Sequence, residues 1–333
     1  MQQRLKFFPI TIYAIVMGLS GLTMVFHRFS DLGFLPHGFY YGALAVVSLL
    51  FLLFTSLYAL KAIKHFGQVL IDFRHPIRIN FFSAISISLL LLATAWHPLS
   101  VEVSKPLWFI GMALHSFLML HTISYWIQQN FEIHSMNPAW FIPVVGNIIV
   151  PVVGVEFMPP MFNLFFYAVG IFFWLVLFTI FLNRVVFHHQ MPQKFMPTLF
   201  ILIAPPAVGF IAYYRITGMY DTFAQMLLLL TYFFLLLILF LGKNFFKLGF
   251  YLSWWAFTFP LTAATLATVL ALNITGHSFY RTLAYFLLGV SVSVIALVAV
   301  KTIGQVVQGK ICVNEDAPKP EPPAEPGSLS RHP

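Results

Sequence analysis

Residues 227–241 read Leu-Leu-Leu-Leu-Thr-Tyr-Phe-Phe-Leu-Leu-Leu-Ile-Leu-Phe-Leu, an unbroken run with no charge in it. A membrane β-barrel strand alternates apolar and polar residues with period two, and this run is too continuous for that. It reads as the middle of a helix that lies in lipid. The rest of the chain agrees. Of 333 residues, 60% are hydrophobic, 18% aromatic and only 8% charged, against roughly 25% charged in soluble domains. A fold in water is excluded.

A bilayer-crossing helix needs about 20 mostly apolar residues. That criterion predicts ten spans, at 10–26, 38–60, 79–96, 107–127, 138–157, 161–182, 197–214, 222–241, 252–272 and 283–300. Arg4 and Lys6 precede the first apolar run as in a signal peptide, but no small-residue cleavage site follows, so the run is read as a span. The expected organisation is a short N-terminus over 1–9, a transmembrane domain over 10–310 and a tail over 311–333. The tail is rich in Pro, Glu and Ser and is expected to be disordered.

With both ends in the cytoplasm, 14 Lys and Arg fall inside and 4 (Arg28, Lys105, Arg215 and Arg281) fall outside. The positive-inside rule then places both termini in the cytoplasm of a plasma membrane, the inner one in a bacterium. Lys and Arg confined to short loops are topology signals and do not form a nucleic-acid patch. The single cysteine, Cys312, rules out an internal disulfide framework and a multi-cysteine metal site.

Helix breakers are not evenly spread. The fifth span holds Pro143, Gly146, Pro151 and Gly154; the seventh holds Pro205, Pro206 and Gly209; the ninth holds Pro260; the first follows Pro9 and holds Gly18 and Gly21. Ser83, Ser86 and Ser88 give the third a small, polar section. Within the predicted limits the even spans have no interior proline and are dense in Leu and Phe. Backbone groups freed by proline cannot face hydrocarbon, so the odd spans belong inside. The expected fold is an all-α membrane protein of five helical hairpins, with odd helices ringed around a pore and even helices outside. Small residues also mark close helix packing without any channel, and that alternative stays open.

Within those limits no acidic or basic residue lies at the centre of a span, whereas ion-coupled pumps place ionisable groups there. An uncharged path holds no ion tightly, which suits conduction. His115 and His121 are about 120° apart round a helix and share no face. No HxxxH or HxxHH spacing occurs, so nothing calls for a metal, a cofactor or an enzyme.

The segment Trp254-Trp-Ala-Phe-Thr-Phe-Pro-Leu-Thr262, followed by Ala-Ala-Thr-Leu-Ala-Thr268, resembles the signature of the slow-type anion channel, tellurite-resistance (TehA) and C4-dicarboxylate transporter family. Phe8-Pro-Ile10, Gly18-Leu-Ser-Gly21, His75-Pro-Ile-Arg78, Asn137-Pro-Ala-Trp-Phe-Ile-Pro143 and Ala204-Pro-Pro-Ala-Val-Gly209 extend the resemblance from Phe8 to about Lys310. It implies ten helices with quasi-fivefold symmetry, a homotrimer with one pore per protomer, and small inorganic or carboxylate anions as the permeant species. It also implies that Phe259 projects into the pore and closes it. Expected lining residues are Gly18, Gly21, Ser86, Pro143, Gly146, Pro205, Pro206, Gly209, Pro260 and Thr262. The Thr262 hydroxyl could meet a passing anion or bond to the preceding turn. Two functions follow: a gated channel passing chloride and nitrate, or a carrier for C4-dicarboxylates, tellurite or sulfite. Family members in plants are opened by phosphorylation of long cytoplasmic ends, a control not expected of these short ones.

Overall fold

The computed structural model describes residues 2–314, and the predicted disordered tail lies outside them from residue 315 onward. Among the described residues every regular element is helical. Ten segments follow one another: α1 Ile10–Asp31, α2 His37–Lys64, α3 Arg78–Trp96, α4 Val101–Gln128, α5 Pro138–Gly154, α6 Pro160–Phe187, α7 Gln193–Thr217, α8 Thr222–Phe240, α9 Leu252–Thr275 and α10 Ser278–Val307. Nine of these are long and apolar enough to cross a membrane, and α5 is the shorter exception. Its residues 138–140 and 146–149 are 3-10 helix, which rises ~2.0 Å per residue against ~1.5 Å for an α-helix. At those pitches α5 reaches about 29 Å, close to the ~30 Å hydrocarbon thickness.

Proline explains where the 3-10 turns fall. Pro151 has no N–H for the carbonyl of Asn147, and the N–H of Val150 takes that carbonyl instead. Ahead of Pro205, the N–H of Ala204 takes the carbonyl of Ile201 in the same way. The last donor before each proline therefore tightens the preceding turn from i+4 to i+3 bonding. Pro260 likewise follows the 3-10 turns Leu252–Phe257. At the other end of the same segments, α7 and α9 stop at Gly218 and Gly276, both in the left-handed region at φ +68° and +66°, which glycine adopts without steric cost.

Packing separates the two sets of helices. Segment α1 lies against α3 and α9, α3 against α5, α5 against α7, and α7 against α9, while each even helix lies along the odd one before it. Buried residues make up 67–78% of the apolar windows of α1, α3, α7 and α9, but 28–33% of those of the even helices. Polar groups of even helices turn inward to odd-helix carbonyls. Tyr40 donates to Ala95 at 2.9 Å, Ser104 to Ala93 at 2.6 Å, and the Trp108 indole to Val150 at 2.9 Å. Hydrophobic burial drives little association inside lipid, so such bonds and close contacts hold the hairpins together.

One sequence expectation needs correcting. Pro106 lies inside α4, so even helices are not free of interior proline; α4 starts earlier than predicted and keeps Pro106 within its first two turns. Lys61, one of the basic residues counted on the cytoplasmic side, is buried, and so is Asp72. Asp72 sits on a short helix, Phe66–Arg74, between the second and third predicted spans. Lys61 Nζ donates to Asp72 Oδ2 at 2.6 Å and to the Phe8 carbonyl at 2.8 Å, and Arg78 Nη1 meets Asp72 Oδ1 at 2.6 Å. Desolvated charges persist only when paired. This cluster ties the N-terminal segment, the end of α2 and the start of α3 together.

Candidate functional site

Two cavities lie along the axis of the odd-numbered helices, one of about 90 Å³ and one of about 210 Å³. All five odd segments line each of them. The smaller cavity is bounded by residues such as Met17, Ile87, Phe141, Ala204 and Ala256. No charged side chain lines it. The larger cavity lies toward the C-terminal ends of the odd segments, with Met24, Leu91, Val152, Ile211 and Ala263 in its wall. Three residues line both: Ile149 of α5, Val208 of α7 and Phe259 of α9. They form an apolar collar between the two spaces.

The local fold fixes the Phe259 backbone. Phe259 is the second residue of the α-helical part of α9, just beyond the 3-10 turns. The Thr258 hydroxyl donates to the Trp255 carbonyl at 2.7 Å and the Thr262 hydroxyl to the Phe259 carbonyl at 2.9 Å, so both threonines bond to the turn before them. The carbonyl of Ala256, four residues before Pro260, has lost its α-helical donor. Phe259 is buried, with 8% of the residue exposed.

Of the expected lining residues, Gly146, Pro205 and Pro260 border the smaller cavity alongside Phe259. The others lie outside both linings. A Cβ built on Gly18 would stand 2.7 Å from Thr258 Cβ, and one built on Gly21 would stand 3.0 Å from Thr262 Cβ. These two glycines and Thr262 thus form the close α1–α9 contact. Ser86 donates to the Ser83 carbonyl at 2.8 Å and lies 2.9 Å from His115 Nδ1. Gly209 faces Ile171 and Leu227 of the outer helices, while Pro143 and Pro206 are buried in the α5 and α7 walls. His121 stacks on Phe73 at 4.6 Å, far in role from His115.

Sequence reasoning missed Ile149 and Val208, because nothing distinguishes them from other aliphatic residues until the helices are assembled. It also read Arg28 and Arg215 only as topology charges. Both line the larger cavity, as do His27, Tyr214 and Asn273. Their place in the last turns of odd-numbered helices was the available signal.

Residues 7–303 match the voltage-dependent anion channel (SLAC1) family. The chain is 29% identical over 310 residues to the S-type anion channel SLAH3 of Arabidopsis thaliana, covering 89% of this chain and 48% of that one. It is 32% identical over 275 residues to SLAH2 of the same plant, with 79% and 52% covered. It is 26% identical over 261 residues to a tellurite resistance protein TehA homolog of Haemophilus influenzae, with 77% and 78% covered. The chain spans about half the length of the two plant relatives. With most of its length matched, the chain belongs to the voltage-dependent anion channel family and is an integral membrane protein. That family is one of anion channels and transporters, not of enzymes.

Proposed function

From that membership we propose that the protein is a gated anion channel, passing small monovalent anions such as chloride and nitrate passively along the axis of the odd-numbered helices. The observation that carries this reading is the collar: Phe259, Ile149 and Val208 each border both cavities. A narrow apolar constriction excludes water, and a desolvated anion does not cross it. Displacing one phenyl ring joins the two spaces. The ring of Phe259 is the gate, on a backbone held by the 3-10 turns before it and the Thr262 hydroxyl bond.

The smaller cavity bears on mechanism. A carrier for a dianion such as a C4-dicarboxylate would meet its charge with fixed Lys or Arg at the binding site, and no charged side chain lines that space. The two arginines of the conduit line the larger cavity, so the smaller cavity and the collar offer no fixed charge to hold a dianion, and an uncharged constriction favours conduction over tight, alternating binding. The bias of basic residues toward one face supports a topology with both termini in the cytoplasm of the plasma membrane. The resemblance adds a homotrimer, each protomer with its own conduit.

The test is current from purified protein in planar bilayers under an anion gradient. Wild type is expected to conduct little and Phe259→Ala to carry a larger, anion-selective current. Equal or cation-selective currents in both would overturn the reading, and concentrative malate uptake driven by a proton gradient would favour the carrier.

A further inference from the structure

The larger cavity differs from the smaller in chemistry as well as volume. Arg28 of α1 and Arg215 of α7 both line it, and these two helices are not neighbours in the ring, so the two arginines border the space from separate walls. Arg28 Nη1 stands 3.7 Å from Asp31 Oδ2, beyond hydrogen-bond distance, which leaves its donors uncommitted. Arg215 gives Nε to the Val152 carbonyl at 3.1 Å and Nη2 to Glu156 Oε1 at 2.5 Å, and Nη1 stays available. The Tyr214 hydroxyl and the Asn273 amide add neutral donors, neither with a side-chain partner among the described residues. Thr94 adds none, since its hydroxyl is bonded to the Leu90 carbonyl at 2.9 Å. His27 presents Nδ1 to Asp31 at 3.2 Å.

We propose that this cavity is a docking vestibule for a small planar oxyanion, held between Arg28 and Arg215 with Tyr214 and Asn273 completing its hydrogen bonds, before it reaches the collar. The proposal rests on the channel reading above and adds a binding site and an anion class to it. Arg28, with no hydrogen bond to Asp31, presents two parallel N–H donors that match two oxygens of a planar anion, and Arg215, whose Nε and Nη2 are engaged, adds Nη1 as a further donor; a spherical halide accepts no such fork. Asp31 and Glu156 pair with the two arginines but do not line the cavity. They offset the positive charge from behind, so the anion is held loosely enough to move on.

Nitrate is the probe. In Phe259→Ala channels, nitrate replaces gluconate on one side of the bilayer at a time and current is titrated. From the vestibule side, Arg28→Gln and Arg215→Gln are each expected to raise the half-saturating nitrate concentration about tenfold, the loss of one charge-assisted hydrogen bond. Titration from the opposite side is expected to change little. Arg28→Lys, which keeps the charge and loses the fork, is expected to behave near wild type for chloride and between wild type and Gln for nitrate. Equal half-saturation in all variants, or equal changes from both sides, overturns the vestibule while leaving the channel intact. If Phe259→Ala carries no anion current, the channel reading fails by itself. Thermal unfolding in detergent at fixed ionic strength then decides: exchanging gluconate for nitrate should shift the wild-type midpoint relative to that of the Arg28→Gln/Arg215→Gln double variant, and identical shifts refute binding there.

Discussion

Gly21→Ala probes the contact that seats the collar. A Cβ at Gly21 would lie 2.1 Å from Thr262 Oγ1, 3.0 Å from Thr262 Cβ and 3.5 Å from Phe259 Cδ2. Unstrained contacts between carbon atoms are ~3.5–4.0 Å, so one of two things must give. Helix α1 recedes from α9 by roughly half an ångström or more, or Thr262 turns about χ1 and loses its 2.9 Å bond to the Phe259 carbonyl. Overpacking of this kind costs about 1–3 kcal/mol. Thermal unfolding in detergent reads the loss, and Gly38→Ala is the internal control, since nothing lies within 4 Å of its Cβ and its effect should stay within about 0.5 kcal/mol. Adding Thr262→Ala removes the closest atom but leaves the 3.0 Å contact. The double variant should therefore recover part of the loss, with a coupling of about 0.5 kcal/mol or more. Gly21→Ala as stable as Gly38→Ala, or strict additivity with Thr262→Ala, would refute the argument.

Further outcomes follow from other sites. Asp72→Asn strips Lys61 and Arg78 of their carboxylate and should destabilise by about 3 kcal/mol, with much of that restored by adding Lys61→Met, as read by unfolding midpoints. Val208→Ala widens the collar without removing its ring, so its bilayer current should exceed wild type but fall below Phe259→Ala. Asp221 caps α8 through the Ala224 N–H at 3.0 Å and accepts the Tyr213 hydroxyl at 2.6 Å. That hydroxyl, chiefly, and the backbone bond hold its carboxyl below the usual carboxylate range. A depressed folded-state value means stability that is full above the unfolded value and lost as pH falls through the folded one. Asp221→Ala should therefore be less stable than wild type near neutrality, and the gap should close in acid, as unfolding midpoints across pH would show.

How far the sequence could be read depended on what each residue answers to. Pro205, Pro260 and the Pro143–Pro151 pair act on their own backbone, so the inner position of their helices followed from local chemistry alone. The length of α5 did not, because its 3-10 turns stretch 17 residues over a distance that α-helical counting assigns to about 20. Gly18 and Gly21 advertise a close approach without saying to what. Only assembly shows Thr258 and Thr262 of α9 opposite them. Charges were read by sign and loop position, a rule blind to direction. Arg28 and Arg215 therefore passed as topology signals although they face the larger cavity, and the Lys61–Asp72 pair was invisible because its partners come from separate elements.

The central claim is one conduit divided at Phe259, and charged thiol reagents applied to each face in turn test it most directly. In a Cys312→Ser background, Ala204→Cys marks the smaller cavity and Ala263→Cys the larger. With Phe259 in place, each cysteine is predicted to react with an anionic reagent from one face only, and the two from opposite faces. With Phe259→Ala, both are predicted to react from both faces. Reaction of either cysteine from both faces while Phe259 is intact, or one-sided reaction that persists in Phe259→Ala, would contradict it.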